Sequence, residues 1–213
     1  MGREIKNYAI MLIAVNTVLL VLEALFPVIV EMYALYPPEI FIAPWTIVTS
    51  MFLHSGFEHL LYNMFALGLF GIVLERIIGS DRFLIGYIAS GIVAGVATIF
   101  MYPLSHSLGA SGAIYGVIGM LAVLRPRMMI YFGVPLPMLF YAVVYVFFDI
   151  VGIFTGVNPD NIAYAAHVAG FTGGAVLGFL WKKDFVEEKK IREEISHEID
   201  DEELDRWEEK YMR

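Results

Sequence analysis

Six apolar runs partition this chain, at about 8–30, 57–75, 83–101, 110–124, 136–154 and 162–181. A helix needs about 20 apolar residues to cross the hydrocarbon core of a bilayer. Inside lipid, a spanning segment must satisfy its own backbone N–H and C=O groups, so the runs are expected to be helices. A soluble domain is excluded by the same numbers: 59% of residues are hydrophobic, and only 17% are charged. The mean hydropathy is +0.70. Small residues such as Gly86, Ala89, Gly91 and Gly95, or Gly170, Gly173, Gly174 and Gly178, recur inside the runs. They let helix backbones approach in lipid, where the hydrophobic effect does not drive helices together. The expected fold is therefore an all-α membrane protein, a compact bundle of six transmembrane helices.

Lysine and arginine set the orientation, because short loops rich in them stay cytoplasmic. All 14 basic residues lie at the N-terminus or after the second, fourth and sixth runs. Both termini are thus expected in the cytoplasm of a multi-pass protein. The first run is too long for a signal peptide and no small-residue cleavage site follows it, so it reads as a retained span. Residues 1–181 form the expected membrane domain. Residues 182–213, with 13 acidic and 8 basic side chains, form a charged cytoplasmic tail. Its alternating signs suit a solvated helix. Cysteine is absent, which excludes disulfides, thiol nucleophiles and thiolate metal sites. The net charge of −8 gives no reason to expect a nucleic-acid partner.

Polar side chains within the runs are costly and call for a partner or a function. They are Asn16, Glu23, His59, Asn63, Asp149 and His167, with Ser111 at the start of the fourth run. The second, fourth and sixth runs all descend from outside to inside, so each residue's depth follows from the basic residue at its inner end. Ser111 precedes Arg125 by 14 residues, a rise of about 21 Å. The same rise puts His167 about 22 Å and Asn63 about 20 Å above the inner boundary. His59 lies one turn further out on the Asn63 face. The three residues share one plane, roughly 10 Å below the outer surface of a 30 Å core.

The fourth run spans only about 24 Å from Gly109 to Leu124. Its helix is expected to start below the outer boundary, with Ser111 at its N-terminus facing a water-filled pocket. Gly109 and Gly112 permit the tight turn, and the free backbone N–H groups form an anion-stabilising site beside the hydroxyl. A serine nucleophile needs a base, and His167 lies at the right depth to accept its proton. The Ser111 N–H, the His59 ring and the Asn63 amide are candidate donors to an oxyanion. No Asp or Glu lies at that depth in the second, fourth or sixth run, so the expectation is a Ser–His dyad. Tyr115, one turn after Ser111, is expected to pack on the His167 ring.

HSGFEHLLYNMFALG (54–68), GASGAIYGVIG (109–119) and AHVAGFTGG (166–174) resemble the three signature segments of the rhomboid family of intramembrane serine proteases, in family order and on the second, fourth and sixth runs. The resemblance covers the chain to about Trp181. It implies Ser111 as nucleophile, His167 as general base, and His59 and Asn63 in the oxyanion hole. It also implies that Tyr115 stacks on the catalytic histidine and that Gly170 and Gly174 bring the fourth and sixth spans together. The implied substrates are single-span membrane proteins in the lipid bilayer, cut near the outer end of the spanning helix. The active site would open to the extracytoplasmic side of a cell membrane, with no metal or organic cofactor. Many family members carry Trp-Arg in the first outer loop; here Thr46 follows Trp45, which leaves the anchoring of that loop in question. The chain otherwise looks like the minimal six-span form.

Other readings compete. His54, His59 and His167 invite a zinc site, but the H-E-x-x-H helix signature is missing. Glu23 and Asp149 invite an ion path and a small transporter, but no matching repeat accompanies them. A catalytically inactive rhomboid-like binding protein would generally lack the serine or the histidine, and this chain keeps both. Glu23 is expected to bond within the bundle or to loop backbone, and Asp149 to cap or pair near the end of its run. The loop 155–161 is expected to act as a lid, beside a fifth helix able to tilt.

Overall fold

A computed structural model describes residues 5–156, 162–185 and Arg206. The chain divides into two compact units, Met1–Gly178 and Phe179–Arg213. Most of the charged tail, and residues 157–161 of the expected lid, lie outside the described residues.

The first run is broken by proline. Helix α1 (Tyr8–Leu25) ends ahead of Pro27, and a short α2 (Val28–Tyr33) follows with Pro27 at its N-cap. The residue before proline is driven out of the helical region, and Phe26 sits at φ −134°. Helix α3 (Thr46–Thr49) lies in the connection to the second long helix. That helix, Phe57–Ile78, comprises α4 (Phe57–Ala66), one π-helical turn at Leu67–Gly71 and α5 (Ile72–Ile78). Then come α6 (Ser80–Met101), α7 (Ser111–Leu124) and, after a hairpin, α8 (Met138–Thr155). Residues 164–185 form α9.

Among the described residues, four helices are long and apolar enough to cross a membrane: Tyr8–Leu25, Phe57–Ile78, Ser80–Met101 and Met138–Thr155. Helix α7 is shorter, at 14 residues. The all-α expectation needs one correction, an antiparallel pair of strands, β1 (Met129–Phe132) and β2 (Val134–Pro137), in register Met129 to Pro137. Gly133, at φ +73°, makes the turn between them, a backbone conformation that glycine adopts without strain. Pro135 and Pro137 lack the N–H a helix start would tolerate losing, but in a two-stranded ribbon each strand has a free edge where that loss is harmless.

Burial orders the helices. Gly112, Ala113, Ile114 and nearly every residue from Gly116 to Leu124 of α7 are buried, whereas α1 and α8 are each only 22% buried and expose large side chains such as Val18, Val21, Phe147 and Phe148. The peripheral helices thus present apolar surface suited to lipid, and the short one is enclosed by protein. Helices α7 and α9 pack backbone to backbone. A Cβ at Gly170 would run into the Gly112 carbonyl, and one at Gly174 into the Gly116 carbonyl. Both contacts advance four residues along each helix, so α7 and α9 run parallel, joined along a stripe of small residues.

Glu75, which the sequence presents among surface charges, is 2% exposed. Its carboxylate accepts the N–H groups of Tyr8 at 2.7 Å and Ala9 at 2.9 Å, and a bond from the Ser80 hydroxyl. It thereby satisfies donors that the start of α1 leaves unpaired, with a negative charge where the helix dipole favours one.

The connection 26–56 is held by several polar contacts. The Thr46 hydroxyl donates to Ala43 O at 2.7 Å and the Thr49 hydroxyl to Tyr33 O at 2.8 Å. The His54 N–H donates to Glu23 Oε2 at 3.1 Å, the loop-backbone bond expected of Glu23. Leu35 and Ser107 exchange backbone hydrogen bonds at 2.9 and 2.8 Å. Tyr36 stacks on His106 with ring centroids 4.2 Å apart. The loop that lacks arginine after Trp45 is therefore anchored by hydroxyls, a buried glutamate and a two-residue bridge.

Candidate active site

The α7 helix begins at Ser111, and its first turn supplies N–H groups without partners inside the helix. The approach is fixed from both sides. Gly109 N–H donates to Ser50 O at 2.9 Å, and Gly109 adopts φ +126°, where an L side chain is strained. A Cβ there would also meet the His59 ring at 2.8 Å. Glycine at 109 thus lets the chain turn sharply into α7 while the imidazole lies against it. At Gly112 a Cβ would run into Ala94, so that glycine seats α7 on α6.

His167 sits in the first turn of α9. The start of that helix is held where the Tyr102 hydroxyl accepts the Ala165 N–H at 3.1 Å. With the glycine stripe fixing α9 on α7, His167 Nε2 lies 2.8 Å from Ser111 Oγ. Tyr115, one turn along α7, stacks on the His167 ring with centroids 4.3 Å apart and planes 15° from parallel. Tyr145 meets Tyr115 edge to face at 5.8 Å. When the Ser111 hydroxyl donates to Nε2, the neutral imidazole carries its proton on Nδ1. That places a serine on a base in a 9% exposed setting, an arrangement able to generate an alkoxide nucleophile.

The α4 residues sit nearby. The Ser55 N–H donates to His59 Nδ1 at 3.4 Å, and the Ser55 hydroxyl lies 3.0 Å from the same nitrogen. An N–H can only donate, so Nδ1 accepts and the ring proton sits on Nε2, the nitrogen beside Gly109. His59 therefore offers an N–H donor toward the start of α7. Asn63 is buried, and its Nδ2 donates to His59 O at 2.9 Å; the amide has a second N–H to offer. His54, in the loop before α4, is enclosed. It is 2% exposed, and its ring meets His59 edge-on at 5.2 Å. Burial, with His59 beside it, pulls the His54 imidazole down to about 4.

The partners of two further groups come only from the structure. Ser55 lies inside the first motif, yet its link to His59 depends on the turn at Gly56, φ +156°. Asp149, expected to cap or pair near the end of its run, has its Oδ1 3.4 Å from His167 Nδ1. The second, fourth and sixth runs carry no carboxylate at that depth, and Asp149 reaches the histidine from the fifth.

The rhomboid domain model matches residues 43–183. This chain belongs to the rhomboid family. The chain is 36% identical over 142 residues to the rhomboid-protease-like YdcA of Bacillus subtilis (strain 168), covering 64% of this chain and 66% of YdcA. It is 34% identical to the rhomboid protease GluP of the same organism over 132 residues, 61% of this chain and 24% of GluP. RHOMBOID-like protein 6, mitochondrial, of Arabidopsis thaliana is 34% identical over 139 residues, 64% of this chain and 43% of that protein. The chain thus spans less than two thirds of each relative's length. Family membership and the apolar helices together make this rhomboid a multi-pass membrane protein.

Proposed function

We propose that this rhomboid is an intramembrane serine endopeptidase that hydrolyses single-span membrane proteins near the outer end of their transmembrane helices. The observation that carries this reading is the 2.8 Å contact between Ser111 Oγ and His167 Nε2 at the N-terminus of a short, enclosed helix. In this mechanism Ser111 Oγ attacks the scissile carbonyl carbon and its proton passes to His167 Nε2. The negative charge on the carbonyl oxygen is met by the Ser111 N–H, His59 Nε2–H and the second N–H of Asn63. Each such donor contributes about 10²–10³ in rate. His167 then protonates the leaving amine, and the same base activates a water that releases the acyl group from Ser111.

The stacked Tyr115 restrains the His167 ring, and Gly109, Gly112, Gly170 and Gly174 hold the approach to α7 and the α7–α9 spacing. The topology proposed is six spans with both termini cytoplasmic, residues 1–181 forming the protease domain and residues 182–213 a cytoplasmic tail. The site opens to the extracytoplasmic face of the cell membrane. The partners are transmembrane substrates within the bilayer, and no cofactor is required.

The test is cleavage of a model single-span substrate in liposomes by the purified full chain, with Ser111→Ala and His167→Ala beside it. Cleavage in the parent, lost in both variants at unchanged thermal stability, is expected. An intact substrate with the parent, or cleavage retained in either variant, overturns the reading.

A further inference from the structure

An ionisable side chain buried in a membrane helix is costly and needs a partner or a function. Asp149 lies on α8 and is 4% exposed. Its Oδ1 is 3.4 Å from His167 Nδ1, at the outer limit of a hydrogen bond, with both side chains nearly enclosed. Among the described residues no side chain pairs with Oδ2. Asp149 therefore sits behind the base, on the ring nitrogen that the Ser111 contact leaves over.

The helix packing holds it there. Gly152 follows Asp149 by three residues and Tyr164 precedes His167 by three, so each pair shares a helix face. A Cβ at Gly152 would lie 2.5 Å from Tyr164 Cε2. The missing side chain lets the Tyr164 ring lie directly on α8, and that contact brings Asp149 and His167 together.

We propose that Asp149 is a positioning residue for the general base, an inference that rests on Ser111 and His167 acting as nucleophile and base. The carboxylate accepts the Nδ1–H of His167. It thereby holds the tautomer whose Nε2 faces Ser111 and stabilises the imidazolium formed when the Ser111 proton arrives at Nε2. The Nδ1 proton stays on His167 throughout, and the proton gained at Nε2 goes on to the leaving amine. Against His167 stand Asp149 from α8 and Ser111 and Tyr115 from α7, while His59 from α4 lies against Gly109 at the start of α7; Asp149 is the acid among them. Expected of such a role are a loss in turnover and a shift in pH profile, with substrate binding untouched.

The experiment measures kcat, KM and the pH dependence of kcat/KM for a single-span substrate, using the full chain and D149N, with S111A as the inactive reference. D149N is expected to lower kcat by about 10², to leave KM within twofold, and to move the acidic limb of kcat/KM to lower pH. A D149N enzyme with wild-type kcat and an unmoved acidic limb overturns the assignment while the parent remains a protease. An inactive parent, or an active S111A, instead overturns the underlying protease reading. Should D149N fail to fold, Gly152→Ala carries the test, because it leaves Asp149 in place and displaces the Tyr164 ring. A fall in kcat at constant KM supports the role, and wild-type kcat with an unmoved limb overturns it.

Discussion

Gly170→Ala tests whether the small-residue stripe sets the geometry of the site. The added Cβ would overlap the Gly112 carbonyl oxygen, and a backbone atom offers no side-chain torsion by which to escape. Reaching an ordinary separation of about 3.5 Å requires α7 and α9 to part by about 1.4 Å. Ser111 lies one residue from Gly112 and His167 three from Gly170, so the displacement acts almost directly on their 2.8 Å contact, which would open beyond hydrogen-bonding range. A misplacement of about 1 Å at reacting groups costs about 10² in rate, and overpacking of this kind costs about 1–3 kcal/mol in stability.

Gly173→Ala is the matched control. Its Cβ would meet only the Val93 side chain, at 3.3 Å, which can give by a few tenths of an ångström. The assay is kcat/KM for a single-span substrate together with thermal denaturation in detergent. A fall of about 10² for Gly170→Ala, beside near-parental activity for Gly173→Ala, is expected. Equal activity in the two variants would refute the argument that the stripe sets the Ser111–His167 distance.

Two further outcomes follow from the α4 region. Ser55→Ala removes one of two contacts on His59 Nδ1; a lost hydrogen bond of about 1 kcal/mol should lower kcat about fivefold at unchanged KM, read by the same cleavage assay. His54 is held near 4 by burial and by His59 beside it, whereas an unfolded histidine titrates near 6.5. Between those values the unfolded chain binds the extra proton, so stability declines as pH falls from about 6.5 to about 4, by about 3 kcal/mol. Denaturation midpoints measured across that window should flatten in His54→Phe, and an equally steep decline in that variant would refute the assignment.

The candidate site was legible where its residues sit within short motifs. Ser111, Tyr115, His59 and Asn63 lie on single helices whose periodicity fixes their faces, and Ser111 begins α7 as the glycines before it implied. Helical rise alone gives Ser111 and His167 similar positions along their helices, while their 2.8 Å contact depends on the packing of α7 on α9. Asp149 and Glu75 were not legible, because their partners depend on how one helix is rotated about its axis against another. Glu75 in particular stands beside Arg76 in sequence and reads as a solvated charge until α1 is docked on it. The apolar run 8–30 continues across Pro27, and the helix stops at Leu25 because the proline two residues on is a stop signal. The hairpin is not legible because the short apolar stretches around Gly133 run without a break into the following helix.

The most direct measurement of the central claim is covalent labelling of the purified chain with a fluorophosphonate, located by intact mass and peptide mapping. A single adduct on Ser111 is expected in the parent, lost in Ser111→Ala and strongly slowed in His167→Ala. Labelling at another residue, or at Ser111 with the same rate when His167 is absent, would contradict it.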